Sequence, residues 1–333
     1  MKRVVTFGEV MMRLSPPGYS KFSQATALEL AYGGGEANVG IALSYMGMKA
    51  RHVTRFPDNM LGKSATQFLR QHWLETAHVL YGGQMIGKYF LEKGAVHRSS
   101  EVVYEREGSS FSMIEPSMVN WEEVLKDADW FHWTGITPAV SQGAADCCLD
   151  AIKTANKLGV MVSGDIFSRK NMWKYGKRMQ DVMPELVSRC DVVIANTFDI
   201  YEIFGLGTPD EEFNASAKAL MKSLPRIKKV AGKNRESISG SHNRIQGKMW
   251  NGDEYIKTDY LDVTHIVDRV GTGDAYAAGL IYGLLHYDDD DDSLRFATAA
   301  CALKHTIPGD ANMVSEENVK NLMDGNTSGA IKR

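Results

Sequence analysis

Residues Val267-Asp268-Arg269-Val270-Gly271-Thr272-Gly273-Asp274 run into Ala275-Tyr276-Ala277-Ala278-Gly279-Leu280, a glycine-spaced turn ending in an acid at the mouth of an apolar, small-residue helix. Glycines at 271 and 273 let a ligand approach the backbone. The first amides of such a helix point outward with the positive end of its dipole behind them, which makes the turn an anion site. A carboxylate at Asp274 repels a phosphate held there, so its presence suits a different role, that of taking the proton from a hydroxyl that attacks the phosphate. The plainer reading, a first-turn acid favoured by the dipole, stays open on this segment alone.

A second glycine cluster, Gly33-Gly34-Gly35-Glu36-Ala37-Asn38, offers close approach at Gly34 and both a donor and an acceptor at Asn38. It is no dinucleotide fingerprint, because the third required glycine falls on Asn38 and the first strand does not lead directly into it. Gly62-Lys63-Ser64 looks like the end of a P-loop, but Pro57 stands where that loop needs glycine. The histidines are scattered and the cysteines (Cys147, Cys148, Cys190, Cys301) lack CxxC spacing, which argues against a zinc site.

These groups need a frame. Short buried strands are expected at 4–7, 50–55, 130–134, 160–163, 192–195 and 227–231, and apolar residues at helical spacing predict helices at 37–46, 61–74, 142–158, 177–188 and 211–224. Their alternation implies an α/β fold, a mostly parallel sheet flanked by helices with ligands at the carboxyl ends of the strands. Two stretches break the rhythm. Residues 11–32 carry Pro, Ser and aromatic residues, and 87–112 hold two extended segments, 89–92 and 102–106, with no helix between. Together they predict a discontinuous β lid (11–32 and 87–112) that closes over the active face of a main domain made of 1–10, 33–86 and 113–333. The acid run 288–292 reads as a solvated loop before a helix at 293–305.

With 333 residues, 44% apolar and 24% charged, the chain can bury a large core. A net charge of -3 shows no basic excess, which disfavours nucleic acid as a partner. No signal peptide or membrane span is legible, and isolated thiols suit a reducing compartment, so a cytoplasmic location is expected. The Asn-x-Ser matches at Asn214 and Asn326 are then chance.

In this order and spacing, the 33–38 segment, Asn196-Thr197-Phe198-Asp199 and Gly271-Thr272-Gly273-Asp274 resemble the ribokinase, or PfkB, family of sugar kinases. Within that family, five further segments look like the 2-keto-3-deoxygluconate kinases: 8–18, 87–92, 102–106, 131–138 and 267–270. The likeness spans about residues 3–325. It implies a ribokinase-like fold in which ATP gives its γ-phosphoryl group to the terminal hydroxyl of the sugar acid, yielding 2-keto-3-deoxy-6-phosphogluconate. Asp274 would be the base and the amides of Gly271, Thr272 and Gly273 the anion hole.

On the substrate side, Gly34 and Asn38 are joined by Arg106 and Arg169, whose planar forks suit a carboxylate, and by Tyr89 and Tyr104, which can cover an apolar sugar face. Asn196, Lys233, Asn234, Arg235, Ala302 and His305 are expected around the nucleotide. Asp199 replaces the acid of the family's Asn-x-x-Glu element and would position Mg²⁺ through water. A monovalent cation is a further candidate cofactor, and an open lid edge invites a second copy of the chain.

Two departures stand out. Relatives carry Asp-x-Asn-Tyr-Arg where this chain has Asp165-Ile166-Phe167-Ser168-Arg169, and Ala231-Gly232-Lys233-Asn234-Arg235 lacks the usual strand-end hydroxyl. The alternatives are a kinase for another keto-sugar such as fructose, and a catalytically weak carbohydrate-binding sensor of the same fold.

Overall fold

The computed structural model describes residues 1–326; the last part of the expected main domain, 327–333, lies outside the described residues. A nine-stranded sheet forms the centre. From Lys49–Val53 through Arg3–Phe7, Trp130–Thr134, Met161–Asp165 and Val192–Ile194 to Lys229–Ser239 every neighbour is parallel. Beyond that, His242–Trp250 returns antiparallel and pairs with Tyr255–Lys257 and Leu261–Val263.

Both faces of the parallel part are covered, which is why its strands read as unbroken apolar runs. Side chains alternate between the two cores: Val4, Trp130 and Val192 pack into one, while Val5, Phe131 and Val193 pack into the other. Asp165 pairs with Thr134 on one side and Ile194 on the other, so these strands end level and open a common rim.

The expected helices are present, Gln142–Leu158 with the expected ends and Gly35–Tyr45, Met60–Gln71, Met179–Val187 and Phe213–Ser223 with ends shifted by one to three residues. Caps explain several limits. The Asn59 side chain accepts from the amides of Leu61 and Gly62, and Ser141 caps a helix that ends at left-handed Gly159. The acid run 288–292 is a correction: it is not all loop. Asp289 accepts the amide of Asp291, and the helix Asp290–Lys304 begins inside the run because acids in a first turn face the positive end of the dipole. The strand expected at 227–231 continues to Ser239, carried on by pairing with the returning strand. Among the described residues no helix is long and apolar enough to cross a membrane.

A separate four-stranded sheet, ordered Glu29–Gly33, Met11–Ser15, Lys88–Glu92 and Glu101–Glu105, comes from the two interrupting stretches. Its last strand is exposed along its length, with Val103 64% accessible. Arg13, on the second strand, fastens this sheet to the body. Its guanidinium reaches Asp268 at 2.6 Å and Asp310 at 2.7 Å, and all three side chains are at most 4% exposed. The Tyr89 hydroxyl donates to the second oxygen of Asp310.

Removing one member of a buried charge network leaves the others uncompensated. Arg13→Met should therefore lower unfolding free energy by about 3–5 kcal/mol in urea titrations. The loss should shrink as pH falls, because the Asp310 carboxyl, already raised by burial, takes up a proton once its cation is gone. A pH-independent loss would contradict the network.

Candidate active site

The rim of the parallel strands encloses a cavity of about 350 Å³ whose walls include Thr134, Asp165, Arg169, Asn196, Lys233 and Asp274. Helix Thr272–His286 aims its N-terminus into it. Gly271 caps that helix with φ 78°, and a Cβ there would lie 1.7 Å from the Asp310 carbonyl oxygen, so glycine is required twice over. The Thr272 amide makes a long 3.4 Å bond to the Arg269 carbonyl. Amides in the first turn have no carbonyl one turn back, which leaves Gly273 and Asp274 free to donate to a ligand.

Asp274 is half-buried, and Asn38 donates to its Oδ2 at 2.7 Å. Burial is the main cause that raises its carboxyl to about 6; Asp310 adds to the rise, while the Asn38 bond, Arg169 and Lys233 oppose it. Asp165 goes further. Buried at the end of its strand with no partner for Oδ1, it is pushed up to about 8, chiefly by desolvation, against the pull of Lys233.

Facing these acids are two cations, and neither Arg169 nor Lys233 has an ion-pair partner among the described residues. Arg169 sits in the left-handed region at φ 44° and ψ 40°, a strained setting for a non-glycine residue that aims its side chain at the cavity wall. Phe167, one of the departures, lies under both: the guanidinium is 5.5 Å and the ammonium 5.8 Å from its ring centre. Glu36, fully buried behind the cavity, accepts from the amide and hydroxyl of Thr134 and from Thr137, and burial raises its carboxyl.

Several expected positions are corrected. Asp199 is not free to face a metal: its oxygens accept the amides of Ser168 (3.0 Å) and Asn196 (3.4 Å), closing a capping box on helix Thr197–Phe204. The acid that fits a divalent cation is Asp165, whose orphaned oxygen is a hard donor. Among the described residues no group of three acids, histidines or cysteines could hold a metal ion.

Arg106 is spent on buried Glu9, bonded at 2.8 Å, and Tyr89 is 4% exposed and bonded to Asp310; neither lines the cavity. Tyr104 is 58% exposed, its ring 5.7 Å from that of Tyr89. Gly34 answers a protein contact, since a Cβ there would meet the Glu9 carbonyl at 2.0 Å.

Lys233, Asn234 and Arg235 stand on a continuous strand and not on a loop, and the amide of Asn234 is bonded at both ends to Gln246 and Lys248. Ala302 and His305 are buried away from the cavity; the His305 ring contacts Asn243 and the Cys301 carbonyl, and burial lowers it to about 4. The sequence did not reveal the Arg13 junction, the support that Phe167 gives to two cations, or the pairing of Asn38 with Asp274. A lone arginine or phenylalanine carries no spacing signal for such contacts.

Residues 1–317 match the model of the pfkB family of carbohydrate kinases. The crystal structure of 2-dehydro-3-deoxygluconokinase from Thermotoga maritima superposes with a TM-score of 0.92 at 39% identity, covering 98% of this chain and all of that one. A 2-dehydro-3-deoxygalactonokinase from Haloferax volcanii is 28% identical over 326 residues, 98% of each chain. A fructokinase from Xylella fastidiosa, solved with bound ATP, shares the fold with a TM-score of 0.78 at 18% identity, covering 98% of this chain and 99% of that one.

The orphaned acid makes a stability prediction. In the unfolded chain Asp165 ionises near the ordinary value of about 4, but in the folded chain only near 8, so the native state holds an extra proton between those values and loses stability as pH rises through them. Asp165→Asn removes that loss. Thermal melts without ligand should show no gain for the variant at about pH 4 and the largest gain by pH 8; equal gains at both would refute the assignment.

Proposed function

The chain belongs to the PfkB family of carbohydrate kinases, and we propose that it moves the γ-phosphoryl group of ATP to the terminal hydroxyl of 2-keto-3-deoxygluconate. One observation carries the reading: an acid oriented by an amide stands at a helix N-terminus in a cavity that also holds two unpaired cations. A pure binding site for a neutral sugar needs neither the raised acid nor the cations.

With Oδ2 of Asp274 held by Asn38, Oδ1 is the oxygen left for the substrate proton. The first-turn amides and Lys233 stabilise the charge on the migrating phosphoryl group. Arg169, which makes no ion pair with a protein acid among the described residues, pairs with the sugar acid's carboxylate. Mg²⁺, when bound, offsets charge on the donor phosphates, with Asp165 the residue best suited to hold it. The small sheet closes over the sugar to exclude water, and its exposed edge strand is the surface for a second copy of the chain. Consumption of ATP suits a reaction in the cytoplasm.

Relatives acting on the gluconate and galactonate forms make the epimer the finest open choice. A coupled ATP-consumption assay with 2-keto-3-deoxygluconate, its galactonate epimer and fructose tests the reading. Turnover of the gluconate form well above both others is expected; preference for fructose would overturn it.

Two variants test the roles. Asp274→Asn should lower kcat by about 10²–10⁴ while both substrates bind within several-fold of the parent. The working form of the base is the carboxylate, so kcat/KM of the parent should fall as pH drops below about 6. Arg169→Ala should raise KM for the sugar acid by the equivalent of about 2–4 kcal/mol and leave KM for ATP nearly unchanged. Arg169→Lys should recover part of the loss, because an ammonium lacks the bidentate fork. Equal sugar-acid KM in all three proteins would remove Arg169 from the substrate site.

A further inference from the structure

Phe167 and Ser168 stand where relatives carry an amide and an aromatic hydroxyl. Ser168 has left the site. Its amide goes to Asp199 (3.0 Å), its carbonyl accepts from the Trp173 indole (3.2 Å), and it does not line the cavity. Phe167 stays on the cavity wall, half-buried, with no donor or acceptor on its side chain.

The two cations that rest on its ring mark the two ends of a sugar acid. Arg169 takes the carboxylate. Lys233 marks the reacting end, because a Cβ placed on Gly273 in the anion turn would lie 3.6 Å from its ammonium. A Cβ placed on Gly35 would lie 3.6 Å from Asp274 Oδ1 and 3.8 Å from the Ile136 δ-methyl, so the free oxygen of the base shares its corner with an apolar group. A carbon chain with its carboxylate on Arg169 and its terminal hydroxyl at Asp274 therefore passes the ring that carries both cations, and the carbons next to the carboxylate meet it first. Thr134, on the neighbouring strand end, has no hydroxyl to spare for them. It donates to Glu36 (2.8 Å) and accepts the Ile136 amide (3.2 Å).

We infer that Phe167 is a specificity-determining residue, one that selects a methylene at the third carbon of the sugar acid against a carbon bearing a hydroxyl. A methylene loses nothing on meeting the ring, whereas a hydroxyl gives up its water and finds no partner there. The keto oxygen of the second carbon keeps the Arg169 fork within reach, so the requirement falls on the third. An apolar wall rejects an added hydroxyl by about 10–100-fold, which sets the size of the effect. The inference rests on the reading of the acceptor as a sugar acid. It holds for the gluconate and galactonate forms alike, since they differ beyond the third carbon.

The test compares 2-keto-3-deoxygluconate with 2-ketogluconate, which adds a hydroxyl at the third carbon. kcat/KM for each is measured by ATP consumption with the parent, Phe167→Asn and Phe167→Leu. Both acids are read on one preparation of each protein, so their ratio does not depend on the fraction that is folded. The parent should favour the deoxy acid by about 10–100-fold. Phe167→Leu, still apolar, should keep that ratio within several-fold while KM for both acids rises, because the ring no longer supports the cations. Phe167→Asn, whose amide can donate and accept, should cut the ratio by about fivefold or more, with kcat/KM for 2-ketogluconate rising in absolute terms. A parent without preference, or a ratio in Phe167→Asn equal to that of the parent, overturns the inference and leaves the kinase reading standing, and so does an equal loss of preference in both variants. A ratio that holds in Phe167→Asn while KM for ATP alone changes assigns the ring to the donor and also overturns it. A parent that turns over neither acid overturns both.

Discussion

The guanidinium of Arg13 is the point on which three separate parts of this protein converge. It stands on the small sheet, reaches Asp268 at the entrance to the anion turn and reaches Asp310 in the C-terminal loop. Each acid does more than neutralise it. Asp268 also accepts the amides of Val270 and Gly309, and the Asp310 carbonyl presses against Gly271, so the arginine fixes the turn that presents the helix amides. A buried ionic cluster is a poor source of stability, since desolvation offsets much of its attraction; its value lies in allowing one arrangement of the turn. Met11, Tyr89 and Leu91 pack with Val270 beneath the same sheet and add apolar contact at that point.

The cavity below is electrostatically unsettled in the same way that many reactive sites are. Asp274 adds to the rise at Asp165 as Asp310 does at Asp274, and the cations that would relieve these acids rest on the faces of aromatic rings and not on the carboxylates. Cation–π contact holds an ammonium or guanidinium at modest cost to its remaining donors. Phe167 and Tyr276 therefore keep Lys233 in place without neutralising it. The replacement of an amide and a tyrosine by Phe167 and Ser168 reads as an exchange of polar ligand contacts for a support under two charges.

Polar residues also tie the far edge of the cavity together. The chain that follows Ala231 stays in register with Trp250 through Asn243 as a hairpin, and its polar residues bond one another across the strands. Along that strand burial falls steadily, from buried Val230, Ala231 and Gly232 to exposed Arg235 and Glu236, as the strand runs out of the core toward solvent. Asn234 ties the hairpin together through Gln246 and Lys248, while Arg235 beside it is exposed at the cavity.

What the sequence determined alone is what short-range pattern can encode. Apolar runs and helical spacing located the strands and helices of the parallel sheet, the interruption of that rhythm located the small sheet, and Gly271-Thr272-Gly273-Asp274 announced a glycine turn at a helix N-terminus with an acid in its first turn. Tertiary structure decided the pairing of charges. Whether Arg106 met a ligand or Glu9, whether Tyr89 lay open or closed on Asp310, and whether Asp199 faced a metal or its own helix cap depended on how the packed chain brought those groups together. A charged side chain has no periodicity that reveals its partner, because electrostatic pairing acts through space and depends on burial that only the packed fold supplies.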